Sequence, residues 1–151
     1  MKRLATIMLA TVLAGLAPPA PAQSVPTLAG TWVANVAEEG SGPGGLEYDR
    51  FSWVRRLRGD GTAQIEARFY RDDRVVLRHA EEGEWGVEAG AFWFRCARVL
   101  REGAMVPCDR RAEYQILAFD PTTLRYRAKG SERIYTMSRA ADDFRLPDGT
   151  Q

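Results

Sequence analysis

Short runs of alternating apolar and polar residues, separated by turn-forming residues, recur along most of this chain. After Ala22 no run shows the period of an amphipathic helix, whereas alternation with a period of two is typical of a β-strand that buries one face. In residues 62–71, for example, Ile65, Ala67 and Phe69 share one face. The pattern predicts eight strands, at residues 30–36, 48–58, 62–71, 74–82, 91–100, 111–119, 124–129 and 133–139.

The connections between these strands are short and rich in Gly, Asp and Pro, as in Gly59-Asp60-Gly61 and Asp120-Pro121. Such connections favour antiparallel pairing of sequential neighbours, because parallel pairing needs long crossovers. A meander of eight strands hides both of its edges by closing on itself. We therefore expect an all-β fold, an eight-stranded antiparallel up-and-down barrel, with a two-sheet sandwich as the rival. Gly83 is expected to mark a bend or bulge.

The first 22 residues have the features of a cleavable secretory signal peptide. Lys2 and Arg3 precede an apolar run, and Ala20-Pro21-Ala22 supplies the small residues that signal peptidase needs. The apolar run is short for a bilayer span, so an uncleaved anchor is the minor alternative. No cysteine follows the run, so no lipobox is expected, and the predicted location is periplasmic or secreted.

Cleavage after residue 22 leaves 129 residues, enough for one domain at residues 23–139 and a polar tail, predicted to be loose, at residues 140–151. Without the signal, 19 Lys and Arg face 20 Asp and Glu. Neither nucleic acid nor an anionic membrane surface is therefore an expected partner. The arginines alternate with acidic residues at predicted outward positions, which favours cross-strand ion pairs on the exterior of the barrel.

Cys96 and Cys108 are the only cysteines, and an even number in an exported chain favours a disulfide. The bond would close a loop of about 13 residues, which contributes roughly 3 kcal/mol in the chain-entropy model. Two separate buried thiols are the alternative. A metal site is not expected, because the chain has no CxxC motif and His79 is its single histidine.

Motifs at both ends of the predicted barrel carry a family resemblance. The first strand opens with Leu28-Ala29-Gly30-Thr31-Trp32, and the last ends at Arg139; Asp60-Gly61-Thr62 and Gly83-Glu84-Trp85 lie between them. Over about residues 28–139 the chain resembles bacterial exported lipocalin-like (calycin-type) domains. The resemblance implies a structural motif of Gly30, Trp32 and Arg139, in which the arginine packs over the tryptophan and closes one end of the barrel. The Thr-Asp-Tyr motif and the C-terminal helix of central lipocalins are missing.

Large aromatic side chains dominate the predicted inward faces, and alanines such as Ala63 and Ala67 alternate with them. Such a set either lines a cup for a flat, apolar ligand or fills a small barrel completely. The candidate ligand-binding residues of the cup are Trp53, Arg55, Phe69, Phe92, Phe94, Tyr114 and Tyr126.

Arg55 shares the face of Phe51 and Trp53. Inside an apolar cup, an arginine needs an acidic partner or an anionic ligand such as a carboxylate. We favour the alternative, in which Arg55 lies at the rim and its guanidinium reaches water. The same question applies to Arg98, which follows the face of Cys96.

No convincing catalytic constellation is present. His79 lies near Glu81 and resembles a general base, but no obvious nucleophile accompanies it, so we expect a structural or rim histidine. Neither an enzymatic activity nor a cofactor is predicted. The glycine-rich residues 37–47 are predicted to form a mobile flap over the barrel mouth.

Two hypotheses about function follow. The first is a non-enzymatic exported barrel that binds a small, mostly apolar molecule in its cup. The alternative is a protein-binding module, an inhibitor or a subunit of an envelope complex, with a packed interior and a protein partner held by its loops.

Overall fold

Eight β-strands make up most of the chain in the computed structural model, which describes residues 27–42 and 45–149. The predicted signal peptide at residues 1–22 lies outside the described residues. The strands are β1 (Gly30–Ser41), β2 (Glu47–Leu57), β3 (Thr62–Arg71), β4 (Arg74–Glu88), β5 (Ala91–Arg101), β6 (Ala104–Phe119), β7 (Thr123–Ala128) and β8 (Ile134–Ala140). No helix of the described chain is long and apolar enough to cross a lipid bilayer.

The strands form one closed sheet in which each strand pairs with its sequential neighbours and β1 pairs with β8. All eight pairings are antiparallel, and Trp32 of β1 lies opposite Arg139 of β8 where the barrel closes. The prediction of an all-β, eight-stranded up-and-down barrel is confirmed. The turns that follow the even-numbered strands lie at one end of the barrel, and those that follow the odd-numbered strands lie at the other.

The predicted flap at residues 37–47 is wrong. β1 continues to Ser41 and β2 begins at Glu47, so only residues 42–46 connect the two strands. A register shift just before Gly40 lets the hairpin extend, and Gly40 then pairs with Tyr48. In the described residues, this glycine-rich segment is therefore mostly an irregular strand pair.

A β-bulge between β4 and β5 changes which residues face the interior. The register shifts at Gly83, where an irregularity was predicted, with Ala97 as the extra residue on β5. Val99 is therefore buried, whereas Arg98 is exposed. Arg98 does not continue the inward face of Cys96, because the bulge interrupts the alternation.

Another register shift lies on β6, where the pairing with β7 changes between Ile116 and Ala118. The shift turns Phe119 onto the core, with its ring centroid 5.9 Å from that of Trp32. Simple alternation from Tyr114 and Ile116 would place Ala118 on this face, whereas Ala118 is exposed in the structure.

One end of the barrel is closed by the motif that the family resemblance implied. Trp32 is fully buried, and its Nε1 donates a hydrogen bond to the carbonyl oxygen of Leu28 at 2.8 Å. The Arg139 guanidinium lies 4.5 Å from the centre of the Trp32 ring. Glycine suits this position, because its φ of +142° is a conformation that other residues rarely adopt, and a Cβ would also displace the Arg139 guanidinium. Arg139 also donates to the carbonyl groups of Thr27, Ala29 and Pro121.

The predicted disulfide between Cys96 and Cys108 is confirmed, with the two Cα atoms 5.6 Å apart. It joins β5 to β6 beside the bulge at Ala97, where the backbone pairing of the two strands is interrupted. The covalent bond therefore holds the hairpin together at the point where the ladder of hydrogen bonds is weakest.

On the outer surface, charged side chains pair across strands as predicted. Arg71 of β3 contacts Glu47 of β2 at 2.7 Å, and Lys129 contacts Glu113 of β6 at 2.7 Å. Each exposed pair of this kind contributes little to stability. Their main consequence is a barrel exterior on which charges of both signs are mixed.

The segment after β8 is docked on the outer face of the barrel, so the expectation of a loose tail is wrong for residues 141–149. The outward-facing Arg56 and Tyr70 donate hydrogen bonds to the carbonyl oxygens of Phe144 and Pro147, at 2.8 and 2.9 Å. Leu146 is only 3 % exposed. The tail is held because its backbone carbonyl groups satisfy donors on β2 and β3 while its one leucine leaves water.

Truncation of Leu146 tests this docking. Leu146→Ala is expected to lower the free energy of unfolding by about 2 kcal/mol or more, because a buried leucine side chain is removed. Urea denaturation measures the change. The matched control is Leu117→Ala, at a position that is 40 % exposed, with an expected loss of about 0.5 kcal/mol or less. Equal losses in the two variants would show that the tail does not stabilise the barrel.

Candidate functional site

The two halves of the barrel interior differ in their packing. The half near the Trp32 end is filled by buried side chains, among them Leu57, Phe94, Leu124 and Met137. The other half contains a cavity of about 320 Å³. The cavity is lined by Phe51, Trp53, Arg55, Ile65, Ala67, Phe69, His79, Glu81, Arg110, Tyr114, Tyr126, Ala128 and Tyr135.

Strand alternation explains why these side chains meet. Trp53 of β2, Ala67 of β3 and His79 of β4 are direct cross-strand partners in one row of the barrel wall. Arg55, Ile65 and Glu81 form the next row in the same way. Because cross-strand partners point to the same face, both rows face the cavity. The small side chain of Ala67 leaves room between its larger neighbours.

Aromatic rings form most of the cavity wall. Phe51 stacks on Trp53 with ring centroids 5.2 Å apart, and on Phe69 with centroids 5.5 Å apart. Tyr135 meets the edge of Trp53 at 5.3 Å. Rings that support one another in this way hold fixed positions, so the wall offers a preformed apolar surface.

Arg55 lies inside the cup and is only 8 % exposed, so the prediction that it sits at the rim is wrong. Its guanidinium carbon lies 4.4 Å from the centre of the Tyr114 ring, 5.2 Å from that of Tyr126 and 5.5 Å from that of Phe92. The alternation had placed Arg55 on the inward face, but it carried no information on depth. The position of β2 in the closed barrel sets that depth.

Burial acts to lower the pKa of Arg55, but its interactions with Tyr126, Tyr114 and Glu81 outweigh burial and raise that pKa. The guanidinium therefore stays charged. Burial also raises the pKa of Tyr126, so this phenol is neutral in the cup. The cavity thus combines a largely aromatic wall with the buried positive charge of Arg55.

A second charged cluster lies at the side of the cavity. Glu81 of β4 is 6 % exposed, and its Oε1 lies 2.8 Å from Nε2 of His79. Arg110 of β6 also donates to this oxygen. Burial acts to raise the pKa of Glu81, but the hydrogen bond with His79 and the charge of Arg110 outweigh it and hold that pKa below its ordinary value. Glu81 is therefore ionised at neutral pH, and its carboxylate is already bound by His79 and Arg110.

A notch in the barrel wall leads to this cluster. The pairing of β4 with β5 begins only at Glu81 and Val99, so residues 74–80 of β4 pair with β3 alone. The notch has a volume of about 980 Å³ and shares His79, Glu81 and Arg110 with the cavity. These three side chains therefore stand between the notch and the cup.

Five of the seven predicted cup residues line the cavity: Trp53, Arg55, Phe69, Tyr114 and Tyr126. Phe92 stands behind the wall, where it stacks on Tyr114 with centroids 4.6 Å apart. Phe94 does not line the cavity; it belongs to the packed half of the interior. Alternation identifies the inward face of β5, but both halves of the interior share that face.

The sequence reasoning did not identify Arg110, named Glu81 only as a neighbour of His79, and expected His79 to be a structural or rim histidine. The alternation of Leu77, His79 and Glu81 along β4 was a signal that these side chains share the inward face. Arg110 gave no comparable signal, because its predicted strand began only at the next residue. In the structure β6 begins at Ala104, since the disulfide-linked hairpin extends the strand.

The described residues contain no group of three or more His, Cys, Asp or Glu side chains placed to hold a metal ion. Comparison of the sequence with protein-family models found no match, and comparison with curated proteins found none either. The shape of the cavity and the charges inside it are therefore the basis for any statement about function.

Proposed function

We propose that this chain is a non-enzymatic, exported, lipocalin-like protein that binds a small, mostly apolar molecule in the barrel cup. The observation that carries the proposal is the cavity of about 320 Å³ between the aromatic side chains of β2, β3 and β8. Its size falls at the lower end of the range typical of small-molecule pockets. Apolar walls with a few polar groups are the usual composition of such pockets.

The cavity supports this function over a protein-binding module. The module hypothesis expects an interior filled by its own side chains, with the loops left to contact the partner. Here the packing stops at mid-height, and stacked rings such as Phe51 and Trp53 face open space. An apolar ligand would gain contacts with surfaces that the protein itself leaves uncovered.

The lining supports binding rather than catalysis. The side chains that line the cavity in the described structure include no serine, threonine or cysteine. His79 is engaged with Glu81, which in turn is held by Arg110. The lining thus offers His79 no serine, threonine or cysteine nucleophile to activate.

Export is part of the same proposal. The predicted signal at residues 1–22 and the disulfide between Cys96 and Cys108 both favour an oxidising compartment, since disulfides persist there. A barrel in the periplasm or outside the cell would meet small apolar molecules that are poorly soluble in water.

The test is to fill the cavity. Ala67→Phe places a ring between Trp53 and His79, and we expect the variant to lose binding of the neutral fluorophore N-phenyl-1-naphthylamine by at least about tenfold. The physical reason is simple exclusion, since the added ring occupies the space that the probe would take. Fluorescence titration measures the dissociation constant, because the probe brightens when it leaves water.

Ala118→Phe is the matched control, because Ala118 is exposed and the same ring is added outside the barrel. It should bind the probe as the wild type does. The proposal fails if the wild type shows no saturable binding, or if Ala67→Phe binds as tightly as the control. Circular dichroism on both variants verifies that each is folded.

A further inference from the structure

We infer that the ligand of this cavity carries one negatively charged group and that Arg55 binds it. The inference rests on the proposed function, because it names the class of molecule that the cup takes: a flat, mostly apolar body with a single anionic substituent. It is drawn from the hydrogen-bond donors that the cup leaves without acceptors.

The unsatisfied buried donors of the structure are concentrated in this cup. Among the described residues, three buried side-chain nitrogen or oxygen atoms lack a hydrogen-bond partner: Nε and Nη1 of Arg55 and Nε1 of Trp53. Both side chains line the same cavity. The Tyr126 hydroxyl group lies close to Nε1 of Trp53, so the two donors of Arg55 carry the inference. Buried polar groups are normally satisfied, so two unsatisfied donors on one guanidinium indicate a missing acceptor.

The charges of the cup lead to the same conclusion. Glu81 is the acidic residue of the lining, and it is occupied by His79 and Arg110. No carboxylate of the described residues forms an ion pair with Arg55. The cup therefore holds one positive charge in excess. A buried charge without a partner is costly, and a ligand of opposite charge removes that cost.

The aromatic rings around Arg55 do not replace this partner. Phe92, Tyr114 and Tyr126 attract the guanidinium through their faces. A ring face, however, is a poor acceptor, and the Tyr114 hydroxyl group leaves Nε and Nη1 unsatisfied. The rings hold the guanidinium in place, and its planar fork of donors suits a carboxylate, sulfonate or phosphate group.

Two probes with the same aromatic skeleton test the inference. 8-Anilinonaphthalene-1-sulfonate carries a sulfonate, and N-phenyl-1-naphthylamine lacks it. We expect Arg55→Met to weaken binding of the sulfonate probe by about tenfold to a hundredfold, the range for a lost hydrogen bond to a charged group. Binding of the neutral probe should change by less than about threefold, since methionine preserves the apolar contacts.

Arg58→Met is the matched control. Arg58 is exposed at the turn that follows β2, so its loss removes the same charge outside the cup. In this variant, the ratio of the dissociation constant of the sulfonate probe to that of the neutral probe should stay at its wild-type value. The cup-filling Ala67→Phe variant serves as a second control, because it should abolish binding of both probes and so exclude attachment of the sulfonate probe elsewhere.

The outcomes separate this inference from the proposed function. If the wild type binds the neutral probe but Arg55→Met leaves the ratio of the two dissociation constants unchanged, the inference of an anionic ligand is wrong. The proposal that the cavity binds an apolar molecule would then still hold. If neither probe binds the wild type, both are wrong. Arg55→Lys keeps the positive charge but loses the planar pair of donors, so we expect its affinity for the sulfonate probe to fall between those of the wild type and Arg55→Met. If the methionine variant does not fold, the lysine variant serves as the test.

Discussion

Gly83→Ala is expected to lower the free energy of unfolding by about 3 kcal/mol or more, because the bulge between β4 and β5 has no room for a side chain. A Cβ at Gly83 would overlap the carbonyl oxygen of Arg95 and lie 2.9 Å from its carbonyl carbon. The obstacle is backbone on a paired strand, so a rotamer change cannot relieve it. Urea denaturation measures the loss of stability, and the dependence of the free energy of unfolding on urea concentration is compared between the variants.

Gly59→Ala is the matched control for this substitution. A Cβ at Gly59 meets no heavy atom within 4 Å, so the same chemical change should alter stability by about 0.5 kcal/mol or less. If Gly83→Ala unfolds at the same urea concentration as this control, the close approach of β5 at Gly83 is wrong. A loss confined to Gly83 would show that the bulge depends on glycine.

Trp32→Ala has the second large expected effect, a loss of about 3–5 kcal/mol, the usual range for a buried tryptophan. The ring is fully buried at the closed end, where Arg139 covers its face. Removal of the ring leaves a cavity at the closed end of the barrel, and the Arg139 guanidinium loses the surface on which it packs. Thermal and urea denaturation both report the change, and binding of N-phenyl-1-naphthylamine should survive, since Trp32 does not line the cavity.

Trp93→Ala provides the comparison. Trp93 faces outward from β5 and is half-buried, and the Arg111 guanidinium lies 4.7 Å from its ring centre. Both tryptophans thus have an arginine over the ring, but only Trp32 lies in the core. We expect about 1 kcal/mol for Trp93→Ala, the scale of an exposed cation–π contact. Similar losses in the two variants would contradict the role of Trp32 as the plug of the barrel.

Much of the fold was predictable because it depends on local features of the chain. The bounds of β3 were predicted correctly, since Asp60-Gly61 and Asp72-Asp73 end its alternation on both sides. Short turns allow only neighbouring strands to pair, and eight paired strands close most simply into a barrel. The disulfide was likewise predicted, from the even number of cysteines. The contact of Arg139 with Trp32 is present in the structure, but it was implied only by the family resemblance.

The errors in the fold arose where one strand depends on its partner. β1 and β6 are longer than predicted, because their ends are stabilised by pairing with β2 and β5 rather than by their own alternation. The bulge at Ala97 exchanges the faces of Arg98 and Val99. The tail around Leu146 is ordered by donors on β2 and β3 that lie about 80 residues earlier in the sequence.

For the site, the sequence by itself determined which side chains face the interior, because alternation along a strand is a local property of the backbone. Arg55, Trp53 and Tyr114 were identified on that basis. Only the tertiary structure decided how deep each one lies and what it meets. The register of the closed barrel places Arg55 among three aromatic rings. It also brings Glu81 into contact with His79 and Arg110. That division leaves Arg55 without a carboxylate in direct ion-pair contact among the described residues, and it depends on strands far apart in the chain.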